Sequence, residues 1–232
     1  MARYTAAYSS LINRLSEVDL LLSLAARQER LNPIKSRHSI NALCRGAIVL
    51  LSSHLEGFVK ELGELILERL ETRGVPRSSL APQFFFHLSK DILYEIKNTS
   101  QPEFIANKVF NMLSRDYDLW SQSGPFPRSL SAELFNQDFS NPAFKKIKAY
   151  FNRFGYADYQ TDLARILTTN NQATINMVDH LVDVRNKIAH GDTSTAKTPA
   201  DVAAMVMFVR NFCATTDRSV ARWCKTTLCT IR

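Results

Sequence analysis

A chain of 232 residues with 45% hydrophobic side chains can bury a real core, as one domain or as one domain with a large insertion. Its 7 glycines and few turn dipeptides argue against a fold of many short strands. The 29 Lys and Arg against 22 Asp and Glu leave a formal charge of +7, which suits an anionic partner, RNA being the obvious one.

Residues 4–31 read as a long helix. Leu11, Leu15, Val18, Leu22 and Ala25 recur at three and four, and Asn32-Pro33 stops the pattern. Arg, Lys and His crowd residues 27–38. This is a solvated helix end and loop, or, read functionally, an RNA-contacting edge. A second long helix spans about 40–72. Cys44, Ala47, Ile48, Leu51, Leu55, Phe58, Leu62, Leu65 and Ile66 form one continuous stripe, the mark of a core face. Glu56 flanks that stripe. It is either a surface acid or the partner that neutralises an arginine elsewhere. Arg45 and His54 on the same helix are read as structural.

Gly74-Val75-Pro76 ends the second helix, and residues 77–82 form a linker. Residues 83–170 are harder to read. Helices are expected to about 97 and over 102–114, and residues 121–128, with Gly124, Pro125 and Pro127, form a loop. Asn141-Pro142 is a good helix start with Pro in the first turn, and that helix runs to about 154. Lys145, Lys146 and Lys148 interleave there with Phe144, Tyr150 and Phe151. Basic plus aromatic character suits single-stranded RNA, although an amphipathic helix with a lysine face reads the same.

The four cysteines, Cys44, Cys213, Cys224 and Cys229, form no Cys-x-x-Cys pair, and no His sits near the last three at zinc-ligand spacing. Free thiols in a reducing cytoplasm are expected, with no metal and no cofactor. No stretch is read as approaching the ~20 apolar residues of a membrane span, so no membrane partner is expected. After a polar loop at 191–197, Thr198-Pro199-Ala200-Asp201 opens the last helix with a capping box. Val202, Met205, Val206, Val209 and Phe212 carry its apolar face, and Trp223 is expected to dock its end.

The helix before that loop starts near residue 172 and carries the chemistry. Ile175, Met177, Val178, Leu181, Val182, Val184, Ile188 and Ala189 share one arc at ~100° per residue. Arg185 projects from the middle of it. Arginine is almost never fully buried unpaired, so Arg185 has a dedicated partner or the arc faces something other than a plain core. His190 lies roughly 140° further round, with Asp179, Asp183 and Asn186, and just before Gly191, a natural helix C-cap. An imidazole at a helix C-terminus has its protonated form favoured, and a guanidinium offers a planar donor fork for phosphate. The pair suits metal-free phosphodiester cleavage. A buried salt bridge beside a surface histidine is the bland alternative.

Arg185-Asn186-Lys187-Ile188-Ala189-His190 resembles the signature of the HEPN superfamily: Arg, four to six residues, then His, often with a polar residue straight after the Arg. Residues 47–59 resemble the second helix of its RiboL-PSP-HEPN branch, and residues 144–151 are also similar to that branch. The resemblance implies an all-α bundle of long antiparallel helices, one domain over 1–232. Residues 75–170 would be a helical insertion between the second helix and the motif helix. It implies a metal-independent endoribonuclease, a homodimer joined through its motif helices, in which His190 moves a proton and Arg185 holds the phosphate charge. Asn186 would bond the phosphate or fix the imidazole, and Glu56 would orient His190 or Arg185. It further implies a toxin or phage-defence effector with an antitoxin or inhibitor protein. The alternative within the family is a non-catalytic nucleotide- or RNA-binding or dimerisation module. Outside it, the chain would be a helical interaction protein.

Overall fold

The structure is a computed structural model that describes residues 4–115, 124–126, 129–192, 195 and 197–232. Helix α1 (Ala6–Leu31) packs along α2 (Arg37–Thr72). Helices α3 (Pro82–Lys97), α4 (Pro102–Arg115), α5 (Ala132–Asn136), α6 (Phe144–Asn152) and α7 (Tyr159–Leu167) follow. Helices α8 (Asn171–Ala189) and α9 (Pro199–Thr227) close the chain. The described residues contain no strand, and the fold is all-α, as the resemblance implies.

Helix α2 is the axis. It packs against α1, α5, α8 and α9, so its apolar residues are buried in several directions and not along one stripe. By length and composition alone α2 could cross a bilayer, with a mean hydropathy of 1.3 over its most apolar window. This corrects the expectation that no stretch comes near a span. Within the fold, half of that window is buried by neighbouring helices, which is the environment of a bundle's central helix. Each fully buried Leu or Phe there contributes about 1.5–3 kcal/mol. The α1 face that meets it is Ala7, Leu11, Leu15, Val18, Leu22 and Ala25.

Asp217 of α9 is fully buried and anchors the start of α1. Its carboxylate accepts from Thr5 N–H (3.3 Å) and from the Thr5 hydroxyl. The same Thr5 oxygen caps α1 by accepting from Tyr8 N–H. Burial raises the Asp217 pKa, and its bonds to Thr5 oppose the shift.

The middle region shares the core of the long helices. Phe84, Phe135 and Phe154 cluster with ring centroids 4.8 to 6.3 Å apart. Tyr159 and Tyr156 send their hydroxyls to Thr216 and Ser219 of α9 (2.8 and 2.7 Å), and Trp223 stacks on Tyr156 at 4.8 Å. Helices α5 and α7 were not read from the sequence. The loop expected at 121–128 lies largely outside the described residues. Helix α6 begins at Phe144 with Ala143 as its N-cap, two residues later than Pro142 suggests, because Asn141 takes a left-handed conformation (φ 53°) that a helix start cannot use. Phe144, Tyr150 and Phe151 are buried, and the exposed face of α6 is Lys145, Lys146, Lys148 and Ala149. This corrects the RNA-stacking reading of that helix.

Gly63 is where α2 admits the middle region: a β-carbon there would stand 2.8 Å from Tyr150 Cζ. Tyr150 is fully buried and its hydroxyl donates to Asn136 Oδ1 (2.7 Å). Gly63→Ala is therefore expected to cost about 1–3 kcal/mol through overpacking, read as a lower urea midpoint at unchanged m-value. A second expectation concerns acid. Burial, with Arg153 and Lys90 nearby, holds the His87 imidazole down at about 4. Burial and Arg14 lower that of His54. Unfolded imidazoles titrate near 6.5, so below that pH the unfolded chain takes up protons that the folded chain refuses. Stability is then full above about 6.5 and falls as pH drops toward 4. His87→Leu should flatten that slope in denaturation curves taken between these pH values.

Candidate functional site

Helix α8 buries Thr174, Ile175, Val178, Leu181, Val182 and Val184. The seam loosens in its last turn, where Arg185, Asn186 and Ile188 are half-buried and Ala189 and His190 exposed. Arg185 therefore leaves the core just as the helix does. His190 is the C-cap residue, followed by Gly191 at φ 83°. Gly191 N–H donates to Ile188 O (3.1 Å) and Asp192 N–H to Lys187 O (3.0 Å), the Schellman pairing that satisfies the last carbonyls. From α2, Arg45 Nη1 donates to Asp192 O (2.9 Å), so this arginine fixes the chain leaving the motif. His54 is buried on α2, its Nε2 3.7 Å from Glu17.

Arg185 has a dedicated partner, one that the sequence did not suggest. Its Nη1 donates to Asn141 Oδ1 (2.9 Å) and to Asn186 Oδ1 (3.1 Å). The oxygen of Asn186 thus meets the guanidinium, where the sequence reading assigned it to a phosphate or to the imidazole. Glu56 is half-buried. Its Oε2 accepts from Asn141 N–H (3.2 Å) and its Oε1 from Lys60 Nζ (2.7 Å). Among the described residues no bond joins Glu56 directly to Arg185 or His190; Asn141 stands between. The third tie is Asp179 of α8, whose Oδ1 accepts from Phe144 N–H (2.8 Å). An anionic acceptor suits that end of α6, where backbone N–H groups lack helical partners.

Five of the seven residues joined by these bonds lie on the two helices that the sequence singled out, α2 and α8, and Phe144 takes part through its backbone N–H alone. Asn141 is the missing one. Its signal was Asn before Pro at a helix start, which reads as turn chemistry and says nothing about a side chain crossing to another helix. The His190 ring makes no hydrogen bond among the described residues. His180, one turn beyond Asp183 towards the start of α8, approaches Lys197 Nζ at 3.2 Å, and burial with Lys197 lowers its pKa. No three His, Cys, Asp or Glu groups converge at metal-ligand distances among the described residues. The described cavities, such as one of about 430 Å³ lined by Asp91, Ser131, Glu133, Leu134, Asn136 and Gln137, have no residue of α8 in their walls.

A model of the RiboL-PSP-HEPN family matches residues 9–222, a span that takes in both α2 and α8. No curated protein and no solved structure matches the chain.

A β-carbon at Gly191 would meet no atom within 4 Å, so the need for glycine there is conformational alone. Gly191→Ala should cost about 1 kcal/mol, the penalty of a left-handed L-residue. Amide exchange at Asp192 should quicken as the Schellman bonds loosen.

Proposed function

Because the chain belongs to the RiboL-PSP-HEPN family, we propose that it is a metal-independent endoribonuclease. The observation that carries this reading is the end of α8. There Arg185 is half-buried and has donors left over, and one turn on His190 is exposed at the C-cap. Along a helix the two are separated by a rise of ~7.5 Å and by roughly 140° round its axis.

In this reaction an imidazole takes the proton from an RNA 2′-hydroxyl, and O2′ bonds to its own phosphorus. The P–O5′ bond breaks, and the leaving 5′ oxygen collects a proton from an imidazolium. The products are a 2′,3′-cyclic phosphate and a 5′-hydroxyl end. The guanidinium of Arg185 faces the negative charge that builds on the phosphorane oxygens. Asn186 and Glu56 act on Arg185, the first directly and the second through Asn141. Two chains joined through their α8 helices would bring two His190 side chains into one cleft, one as base and one as acid. The exposure of Ala189 and His190 supports this arrangement. The formal charge of +7 supports RNA as the substrate class. A free ribonuclease harms the cell that makes it, so the proposal includes a toxin or phage-defence role, held in check by an antitoxin or inhibitor protein.

The test is cleavage of a mixed RNA pool in EDTA, with end-group analysis, beside His190→Ala and Arg185→Ala. Wild type should cut and leave cyclic phosphates. Each variant should lose at least ~100-fold in rate, the usual contribution of a general acid–base group or a charge-stabilising donor. Equal cutting by wild type and His190→Ala would remove His190 from the chemistry. RNA binding without cutting by any form would favour the family's non-catalytic binding role.

A further inference from the structure

Arg185 Nη1 carries two hydrogens, and two amide oxygens take them: Asn141 Oδ1 at 2.9 Å and Asn186 Oδ1 at 3.1 Å. Nε and Nη2 have no hydrogen-bond partner among the described residues, and neither is sealed from solvent without one. The free edge of the guanidinium is therefore Nε–H with Nη2–H, the pair of parallel donors that matches two oxygens of a phosphodiester.

Asn141 is itself held from several directions. Its left-handed backbone (φ 53°) is one that Asn tolerates better than most residues. Its N–H donates to Glu56 Oε2 on α2, and its carbonyl accepts from Ala143 N–H (2.7 Å). Pro142 is buried, and Phe144 N–H is tied to Asp179 on α8. Residues 141–144 thus form a bracket between the two helices, and the amide of Asn141 is its working end. The chemistry of that end matters. A carboxylate in its place would form an ion pair with Arg185 and spend the charge a phosphate needs. A neutral amide orients the fork and leaves the charge whole. Glu56 on α2, the carboxylate that holds the Asn141 N–H, is occupied by that N–H and by Lys60.

We infer that Asn141 is a positioning residue for the site: it holds Arg185 by Nη1 so that the Nε/Nη2 edge faces the RNA phosphate. This rests on Arg185 being the phosphate-holding group of the proposed ribonuclease.

The test uses the full chain in a His190→Ala background, so that RNA stays intact, with binding of a single-stranded RNA read by fluorescence anisotropy. Asn141→Gly keeps a residue that accepts φ 53° and deletes only the amide. Asn141→Asp keeps the shape and adds the charge. Asn141→Gly should weaken binding roughly tenfold, about what a hydrogen bond to a charged group is worth. Asn141→Asp should weaken it further. Combined with Arg185→Ala, Asn141→Gly should cost nothing more, since the two act as one unit. Nitrogen NMR of the Arg185 side chain should show slow Nη1 rotation in the parent and fast rotation in Asn141→Gly, with or without RNA. If Arg185→Ala weakens binding while Asn141→Gly binds as its parent does, or if their losses add, the inference is overturned and the ribonuclease reading stands. If Arg185→Ala itself leaves binding unchanged, the phosphate reading of Arg185 falls and takes the inference with it. The NMR result then still reports whether Asn141 orients the side chain.

Discussion

A guanidinium half out of the core, fixed through one nitrogen by two neutral amides, is the interaction around which the motif end of this protein is arranged. Arginine charges cannot be stripped of water without compensation. The fold supplies that compensation with Asn141 and Asn186 and not with a carboxylate. The difference is chemical. An ion pair would stabilise the folded chain locally but would occupy the charge, whereas amide acceptors order the side chain and leave it positive. The cost of ordering the Arg185 side chain is thereby met within the fold itself.

That arrangement depends on α2 and α8 keeping a fixed separation. Helix α2 is buried against α1, α5, α8 and α9, and its apolar surface is continuous with the core. The bracket of residues 141–144 is bonded to both helices, to Glu56 on one side and to Arg185 and Asp179 on the other. Behind the bracket, α6 is held by Phe144, Ile147, Tyr150 and Phe151 in the core, with Tyr150 lying against the bare backbone of Gly63. Packing of the middle region and orientation of Arg185 are thereby coupled.

The same coupling accounts for the aromatic residues of α6. Interleaved with lysines, they suggested bases stacking on an RNA-binding surface. A nine-residue helix that must anchor a polar bracket needs a large buried face, and aromatic rings bury more area per residue than other side chains. The lysines remain outside, where they add to the positive field near the motif without contributing a stacking platform.

The sequence by itself determined the long helices, the all-α class and the position of the motif, because each is written in local periodicity or capping. The stripe from Cys44 to Ile66, the capping box of Thr198 and Asp201, and the arc of α8 interrupted by Arg185 all require only 3.6 residues per turn and a cap to be recognised. It also showed that Arg185 needed either a partner or an arc facing something other than a plain core. Who that partner is was decided by tertiary structure alone. Asn141 lies 44 residues away, on a segment whose conformation is set by the left-handed turn before Pro142 and by contacts to two helices at once. Helices α5 and α7 escaped the reading for the same reason. They span only 5 and 9 residues, too short to carry a convincing period, and they are stabilised by the core they join. Glu56 was legible as an acid beside a core stripe. That it reaches Arg185 through an asparagine could be known only once the chain had folded, since hydrogen bonds between distant segments leave no periodic trace in sequence.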